Sequence, residues 1–319
     1  MNTNKLKAAV LGGGNGSAIV LSGLKKYADR LALSAVISMS DSGGSTGRLR
    51  QEFNTLPPSD IMRAVVAMSR YDFTALRQIF YRNRFSGPGK LDGHNLGNLF
   101  VALVAQYAGD FMAAIRALEI SLESVGRAYP VTLQVNDLAV ELANGAVVKT
   151  DEVIDRPNYD RSLRIKRMWL QPAAAANPEA VRAIKAADYI ILSPGSLYTS
   201  IIATLLPTGI KEAIAASRGK LWYVAGNAFQ LNGETGPAKL SEAVAELEQY
   251  LPRPVDIVLY NNVKLNSAQQ QRYADKQWGL LTLDAAALGN RPVIGKDFEK
   301  PAGGLSSDKL GKILLAMMR

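Results

Sequence analysis

The chain has no cysteine. That removes disulfides, thiolate metal sites and cysteine nucleophiles together, and it fits a reducing compartment. It has a single histidine, His94, so no metal site that needs two or three imidazoles can be built. Any metal would be a hard cation on oxygen ligands, such as magnesium. No apolar run approaches transmembrane length, and the stretch from Met1 to Lys7 leads into an apolar run, Ala8–Leu11, too short for the core of a signal peptide. These absences predict a soluble cytoplasmic protein with no membrane insertion. Zinc-finger, helix-turn-helix, RNA-recognition and KH signatures are missing too, so specific nucleic-acid binding is not expected.

What is present is an ordinary globular balance: 319 residues, 48% hydrophobic and 20% charged, enough for a substantial core in one large α/β domain or two ordinary ones. The formal charge of +9 points to an anionic partner. Basic residues thicken at Arg77–Arg84 and again at Arg161–Arg167. A solvated basic face is the first reading of these runs, phosphates on a small ligand the second, and nucleic acid the third.

Along the chain, short β-branched or apolar runs alternate with glycine- or polar-rich turns and amphipathic stretches, the pattern of a parallel sheet with helices on both faces. Strands are expected at Ala8–Leu11, Leu33–Ser38, Arg164–Leu170, Tyr189–Leu192, Leu221–Val224 and Val255–Tyr260. Helices are expected at Ala18–Tyr27, Pro178–Ala187, Tyr198–Leu206, Ile210–Ser217, Ser241–Tyr250 and Lys309–Met318. Between Arg48 and Arg127 the strand signal disappears, and helical spacing over Asp60–Ser69, Phe73–Phe85, Asn95–Ala108 and Phe111–Leu122 reads as a helical insertion, residues 48–127. Leu133–Ala143 and Ala146–Ile154 flank Asn144-Gly145, a type I′ hairpin signal. Ala173–Ala176 reads as a short exposed loop.

Candidate chemistry sits in the loops after these strands. The first strand runs into Gly12-Gly13-Gly14-Asn15-Gly16-Ser17, where glycines let backbone N–H groups approach a phosphate and the following helix presents its positive end. It is neither a dinucleotide fingerprint nor a P-loop, because Ser17 stands where the third glycine belongs and no Gly-Lys-Ser/Thr follows. The second strand feeds Asp41-Ser42-Gly43-Gly44-Ser45-Thr46-Gly47-Arg48: an acid, hydroxyls and glycines around an anion site, with Arg48 able to grip phosphate bidentately. Asp41 suits a ribose hydroxyl or a magnesium ion. In Pro57-Pro58-Ser59-Asp60, either Ser59 or Asp60 is expected to N-cap the next helix. His94 has the chemistry of a phosphate donor or an acid–base group, although a lone histidine is more often structural. Asn95 and Asn98, three apart on one helical face, present two amides to a base or sugar. A further polar nest, Ser193-Pro194-Gly195-Ser196-Leu197-Tyr198-Thr199-Ser200, and the pairs Gly226-Asn227 and Asn261-Asn262 also follow apolar strands. Together these loops converge on the crevice where open α/β sheets bind ligands, with Tyr198 and Phe229 available to stack on a base.

As an ordered set, the Gly12–Gly16 loop, Asp41–Arg50, Pro57–Ile61, Gly93–Leu99, Ser193–Ile201 and, more loosely, Gly226–Thr235 resemble the gluconeogenesis-factor (YvcK-type) family, relatives of the 2-phospho-lactate transferase CofD. The resemblance implies a single CofD-like α/β domain over 1–319 with a Rossmann-like, doubly wound, mainly parallel sheet. It also implies a nucleotide-sugar ligand of the UDP-N-acetylglucosamine type and a role in carbon metabolism, cell shape and envelope synthesis. The transferase relatives are magnesium-dependent and act on a nucleotide-linked phospholactate, which gives an enzyme as the alternative. By the resemblance the ligand-binding set is Gly13, Gly14, Asn15, Gly16, Asp41, Ser42, Gly43, Gly44, Ser45, Thr46, Arg48, His94, Asn95, Asn98, Pro194, Gly195, Ser196, Tyr198, Thr199 and Asn227. Asp41, Asp60 and His94 are the catalytic candidates, and Asp41 is the one metal ligand. The family's Asp-Asp-Gly-Gly-Ser reads Asp41-Ser42-Gly43-Gly44-Ser45 here, and the loss of the second acid weighs against magnesium. A homodimer is left open.

Overall fold

The computed structural model describes residues 5–318. Its strands are β1 (Leu6–Gly12), β2 (Leu31–Ile37), β3 (Arg127–Pro130), β4 (Asp137–Leu142), β5 (Val147–Lys149), β6 (Ile165–Gln171), β7 (Tyr189–Leu192), β8 (Lys220–Ala225), β9 (Ala228–Gln230), β10 (Ile257–Asn261), β11 (Trp278–Leu280) and β12 (Val293–Lys296). Its helices are α1 (Gly14–Leu24), α2 (Gly44–Phe53), α3 (Ser59–Met68), α4 (Phe73–Arg77), α5 (Leu96–Ala108), α6 (Phe111–Ser121), α7 (Asp151–Asp155), α8 (Pro178–Lys185), α9 (Ala203–Leu205), α10 (Ile210–Ala216), α11 (Leu240–Glu248), α12 (Ser267–Asp275) and α13 (Ser307–Met317). Seven strands form one sheet in the order β12-β10-β8-β7-β1-β2-β3, and every neighbouring pair in it is parallel. The order runs outward from β1 in one direction and from β7 in the other, so the sheet is doubly wound and reverses between β1 and β7.

The central strands have no polar face. Ala8–Leu11 and Tyr189–Leu192 are buried throughout, as a parallel sheet covered by helices on both sides requires. The chain from β2 to β3 is helical, and within it Asn95 and Asp110 cap α5 and α6 by accepting from Asn98 N–H and Met112 N–H. A separate antiparallel sheet, β5-β4-β6, and a short β9–β11 ribbon lie outside the main sheet.

Several expectations need correction. The β4–β5 connection is not a type I′ turn. Only Gly145 takes a positive φ there (86°), and its N–H donates to Leu142 O at 2.9 Å, which makes a longer loop closed by a left-handed glycine. The second hairpin strand ends at Lys149, because Thr150 adopts a φ of 75° and the chain turns into α7. Neither Ser59 nor Asp60 caps α3; Pro58 holds that position and both polar residues lie inside the first turn. The helix expected from Tyr198 opens as a π-helical turn, Leu197–Ile202, and that from Phe73 closes in another, Gln78–Arg82. Ala173–Ala176 is a loop, but Ala174 is buried. Sequence periodicity did not signal α12, β12 or the β9–β11 ribbon.

Candidate functional site

Because the seven strands are parallel, their C-terminal ends share one edge. A cavity of about 1760 Å³ opens along it, floored at the β1/β7 reversal by the glycine loop. The glycines are set by contact as well as by turn geometry. A Cβ on Gly16 would lie 1.5 Å from Pro194 O, and one on Gly13 2.8 Å from Asp60 Oδ2. Gly12 takes a φ of +149°, with Ser193 Oγ 2.1 Å from where its Cβ would be.

The loop after β2 is held from several directions. Asp41 Oδ1 accepts Gly43 N–H at 3.0 Å. Arg50 donates to Asp41 O at 3.1 Å, to Asn136 O at 2.7 Å and to Asp137 Oδ1 at 2.9 Å. Ser42 Oγ accepts Glu152 N–H at 3.1 Å, which pins α7 against the loop. Behind it runs a buried polar network. Ser45 Oγ and His94 Nδ1 share a 2.8 Å hydrogen bond, Asn98 Nδ2 donates to Ser45 Oγ and Ser59 Oγ at 3.2 and 3.0 Å, and Thr46 and Ser59 share a hydroxyl contact.

The structure therefore divides the sequence-predicted residues. Gly13, Gly14, Asn15, Gly16, Asp41, Ser42, Gly43, Gly44, Ser45, Thr46, Arg48, Asp60, Pro194, Gly195, Ser196, Thr199 and Asn227 all line the cavity. His94, Asn95 and Asn98 are buried behind the Asp41–Arg48 loop and join α2, α3 and α5. Burial and the nearby Arg48 charge lower the His94 pKa. Tyr198 is likewise buried, its hydroxyl donating to Glu246 and its ring lying under Gly236.

Acids gather around the centre. Burial, and then the neighbouring Asp60 carboxylate, push Asp41 up to about 6. Burial raises Asp151 well above the usual range, with Asp41, Asp155 and Asp60 adding to it. Glu234, pushed up to about 8 mainly by burial, accepts the N–H groups of Tyr198 and Thr199 at 3.1 Å. Among the described residues, no three or more acids or histidines are grouped as a metal site. Magnesium, which keeps waters and ligand phosphates in its shell, would have Asp41 as its protein carboxylate.

Cations surround these acids. Arg77, Arg82, Arg84, Arg161 and Arg164, all from the two basic runs, line the cavity, whereas Lys166 and Arg167 lie exposed outside it and pair with Glu141. Arg63 pairs with Asp60 at 3.1 Å and, like Arg77, lies against the Tyr81 ring. Arg161 ties down the β9 loop through Gly233 O at 3.0 Å and Leu231 O at 2.5 Å. Sequence reasoning missed Asp151, Asp155, Arg272, Lys276 and Lys300 as cavity residues. None of them lies in a basic run or in a matched block, whereas Glu234 falls within the matched Gly226–Thr235 stretch.

An all-parallel, doubly wound sheet with a glycine-floored cavity at its reversal point defines an α/β protein of the Rossmann-like architecture. Residues 8–298 match the family model described as 2-phospho-L-lactate transferase CofD, and the chain belongs to that family, in its gluconeogenesis-factor branch. A putative gluconeogenesis factor of Thermotoga maritima is 38% identical over 89% of this chain and 88% of its own length. The gluconeogenesis factor of Bacillus subtilis is 35% identical over 84% of this chain and 83% of its own. A crystal structure of a Bacillus halodurans protein of the UPF0052 family superposes with a TM-score of 0.89 at 30% identity, covering 98% of this chain and 99% of that one. Among the described residues no helix is long and apolar enough to cross a membrane.

Proposed function

We propose that this chain is a regulatory protein that binds a nucleotide sugar of the UDP-N-acetylglucosamine type and acts in carbon metabolism, cell shape and envelope synthesis, with the cytoplasm as its compartment. The observation that carries this reading is the cavity itself: about 1760 Å³, against roughly 300–1,000 Å³ for an ordinary small-molecule pocket. It has room for an elongated ligand. Its glycine floor offers backbone donors to a diphosphate, and Arg77 and Arg82, which make no ion pair among the described residues, line its wall. The names of the relatives agree with a role in carbon metabolism.

The mutual repulsion of Asp41, Asp60 and Asp151 favours a second reading, since a divalent cation would relieve it. In that reading the chain is a magnesium-dependent transferase of the CofD kind, handling a nucleotide-linked phospholactate. Thermal denaturation against a panel of nucleoside diphosphates and nucleotide sugars tests the primary proposal. A ligand at a hundred times its dissociation constant should stabilise the fold by about 2.7 kcal/mol. If no nucleotide or nucleotide sugar moves the melting temperature at millimolar concentration, both readings fail.

A further inference from the structure

Where Asn227 lines the cavity after β8, its orientation is dictated by a relay of hydrogen bonds. The Phe298 N–H, which can only donate, meets Asn261 Oδ1 at 3.1 Å. That fixes the Asn261 amide, whose Nδ2 then donates to Glu299 Oε2 at 2.7 Å and to Asn227 Oδ1 at 3.1 Å. The Tyr273 hydroxyl lies 2.9 Å from the same Asn227 oxygen. Turning the Asn227 amide over would set its NH₂ against the Asn261 NH₂, so the oxygen stays inward. Its Nδ2 is left buried with no partner, on a residue that is 2% exposed and lines the cavity.

A buried donor without an acceptor destabilises a fold and is rare in native proteins. Here the donor is not free to find another partner, because Glu299, itself 0% exposed, anchors Asn261 and Tyr273 around it. The Glu299 carboxylate is already held by Asn261, Tyr273 and the Gly304 N–H, and basic residues line the same cavity. Arg272 precedes Tyr273 on α12, Lys276 follows the last residue of that helix, Lys300 follows Glu299, and all three line the cavity. None of the three makes an ion pair among the described residues.

We propose that the part of the cavity around Asn227 is an oxyanion subsite, in which Asn227 Nδ2 donates to a carboxylate or phosphoryl oxygen whose charge is met by Arg272, Lys276 and Lys300. The proposal deepens the nucleotide-sugar reading and rests on it only for which molecule carries the group.

The test uses the whole chain labelled with ¹⁵N and needs no nucleotide. The Asn227 side-chain amide signal is assigned by its loss in Asn227→Leu or, where that variant does not fold, by its proximity to the Tyr273 ring. It is followed while sodium phosphate, sodium acetate or sodium chloride is added at equal ionic strength. A saturable shift with phosphate alone identifies a phosphoryl subsite, and one with acetate a carboxylate subsite. Lys276→Ala, at an exposed position, should weaken either response about threefold, as loss of an exposed charge contact does. No shift with either anion, or the same shift with chloride, overturns the proposal. A separate UDP titration of the unaltered chain reports on the nucleotide reading, so the two can fail independently.

Discussion

The main-chain oxygen of Pro194 occupies the space that a side chain on residue 16 would need, 1.5 Å from the position of its Cβ. The loops after β1 and β7 thus meet backbone to backbone at the point where the sheet reverses. Because the obstacle is main chain, rotamer changes cannot relieve it. Gly16→Ala is expected to destabilise the fold by about 1–3 kcal/mol, the range for overpacking, and to abolish ligand binding by prising the two loops apart. Denaturant unfolding and ligand titration on the same variant check this. Unchanged stability would mean that the loops do not meet as described.

Arg50 holds the Asp41 main chain in place without lining the cavity itself. Lysine cannot reproduce three directed bonds to Asp41 O, Asn136 O and Asp137. Arg50→Lys should therefore lose about 1.5–3 kcal/mol of stability, as for hydrogen bonds involving a charged group. It should also weaken ligand binding through the displaced loop. Normal affinity alongside lowered stability would show that the Asp41 loop is positioned by something else.

The parts of this molecule that were legible in its sequence are those where local pattern and tertiary environment agree. Tyr189–Leu192 reads as a strand from its apolar run and is buried on both faces. The nests after β1, β2 and β7 were marked by glycine and hydroxyl density, and they form the cavity floor. What was illegible depends on distant partners. Asp151 lies in a stretch with strand-like alternation, and only the left-handed turn at Thr150 swings it over the Asp41 loop. Glu234 sits within the matched Gly226–Thr235 stretch, but nothing local marks it as the acceptor for Tyr198 and Thr199, 35 or 36 residues away. The sequence likewise gives no sign that the polar atoms of His94 and Tyr198 are already held by Ser45 and Glu246.

That division gives opposite expectations for two residues. Arg77 lines the cavity with its Nε unpartnered, whereas His94 is bonded to Ser45 behind the wall. Arg77→Ala should weaken binding of a nucleoside diphosphate by about 1.5–3 kcal/mol and leave unliganded stability almost unchanged. His94→Ala should lower stability by about 1–3 kcal/mol through the lost bond to the buried Ser45 hydroxyl and the space left behind it, with any loss of affinity following from loop disorder. Paired melting and titration curves separate the two. A His94→Ala protein of full stability and no affinity would return His94 to the site.

Asp41 decides between sensor and enzyme. Its carboxyl is pushed up to about 6 by burial and by Asp60, above the value of about 3.9 for an unfolded chain. The folded state therefore holds the proton more tightly. The stability it gains is fully present below about pH 4 and is lost as pH rises through about 6. Asp41→Asn should remove that slope, so the variant gains on the parent above pH 6 by an amount on the order of 1–3 kcal/mol. The asparagine oxygen can still accept Gly43 N–H, so the loop should survive. Magnesium bound at Asp41 would offset the same cost in the parent alone: it would raise the parent's melting temperature at pH 7–8, tighten nucleotide binding, and do neither in Asp41→Asn. We expect the metal-free outcome. Ser42 stands where a second acid would support the ion, and its oxygen already accepts Glu152 N–H. In that case Asp41→Asn has only modestly reduced affinity, equal in magnesium and in chelator. Nucleotide binding that needs magnesium in the parent and loses that need in Asp41→Asn would overturn the sensor reading in favour of the transferase.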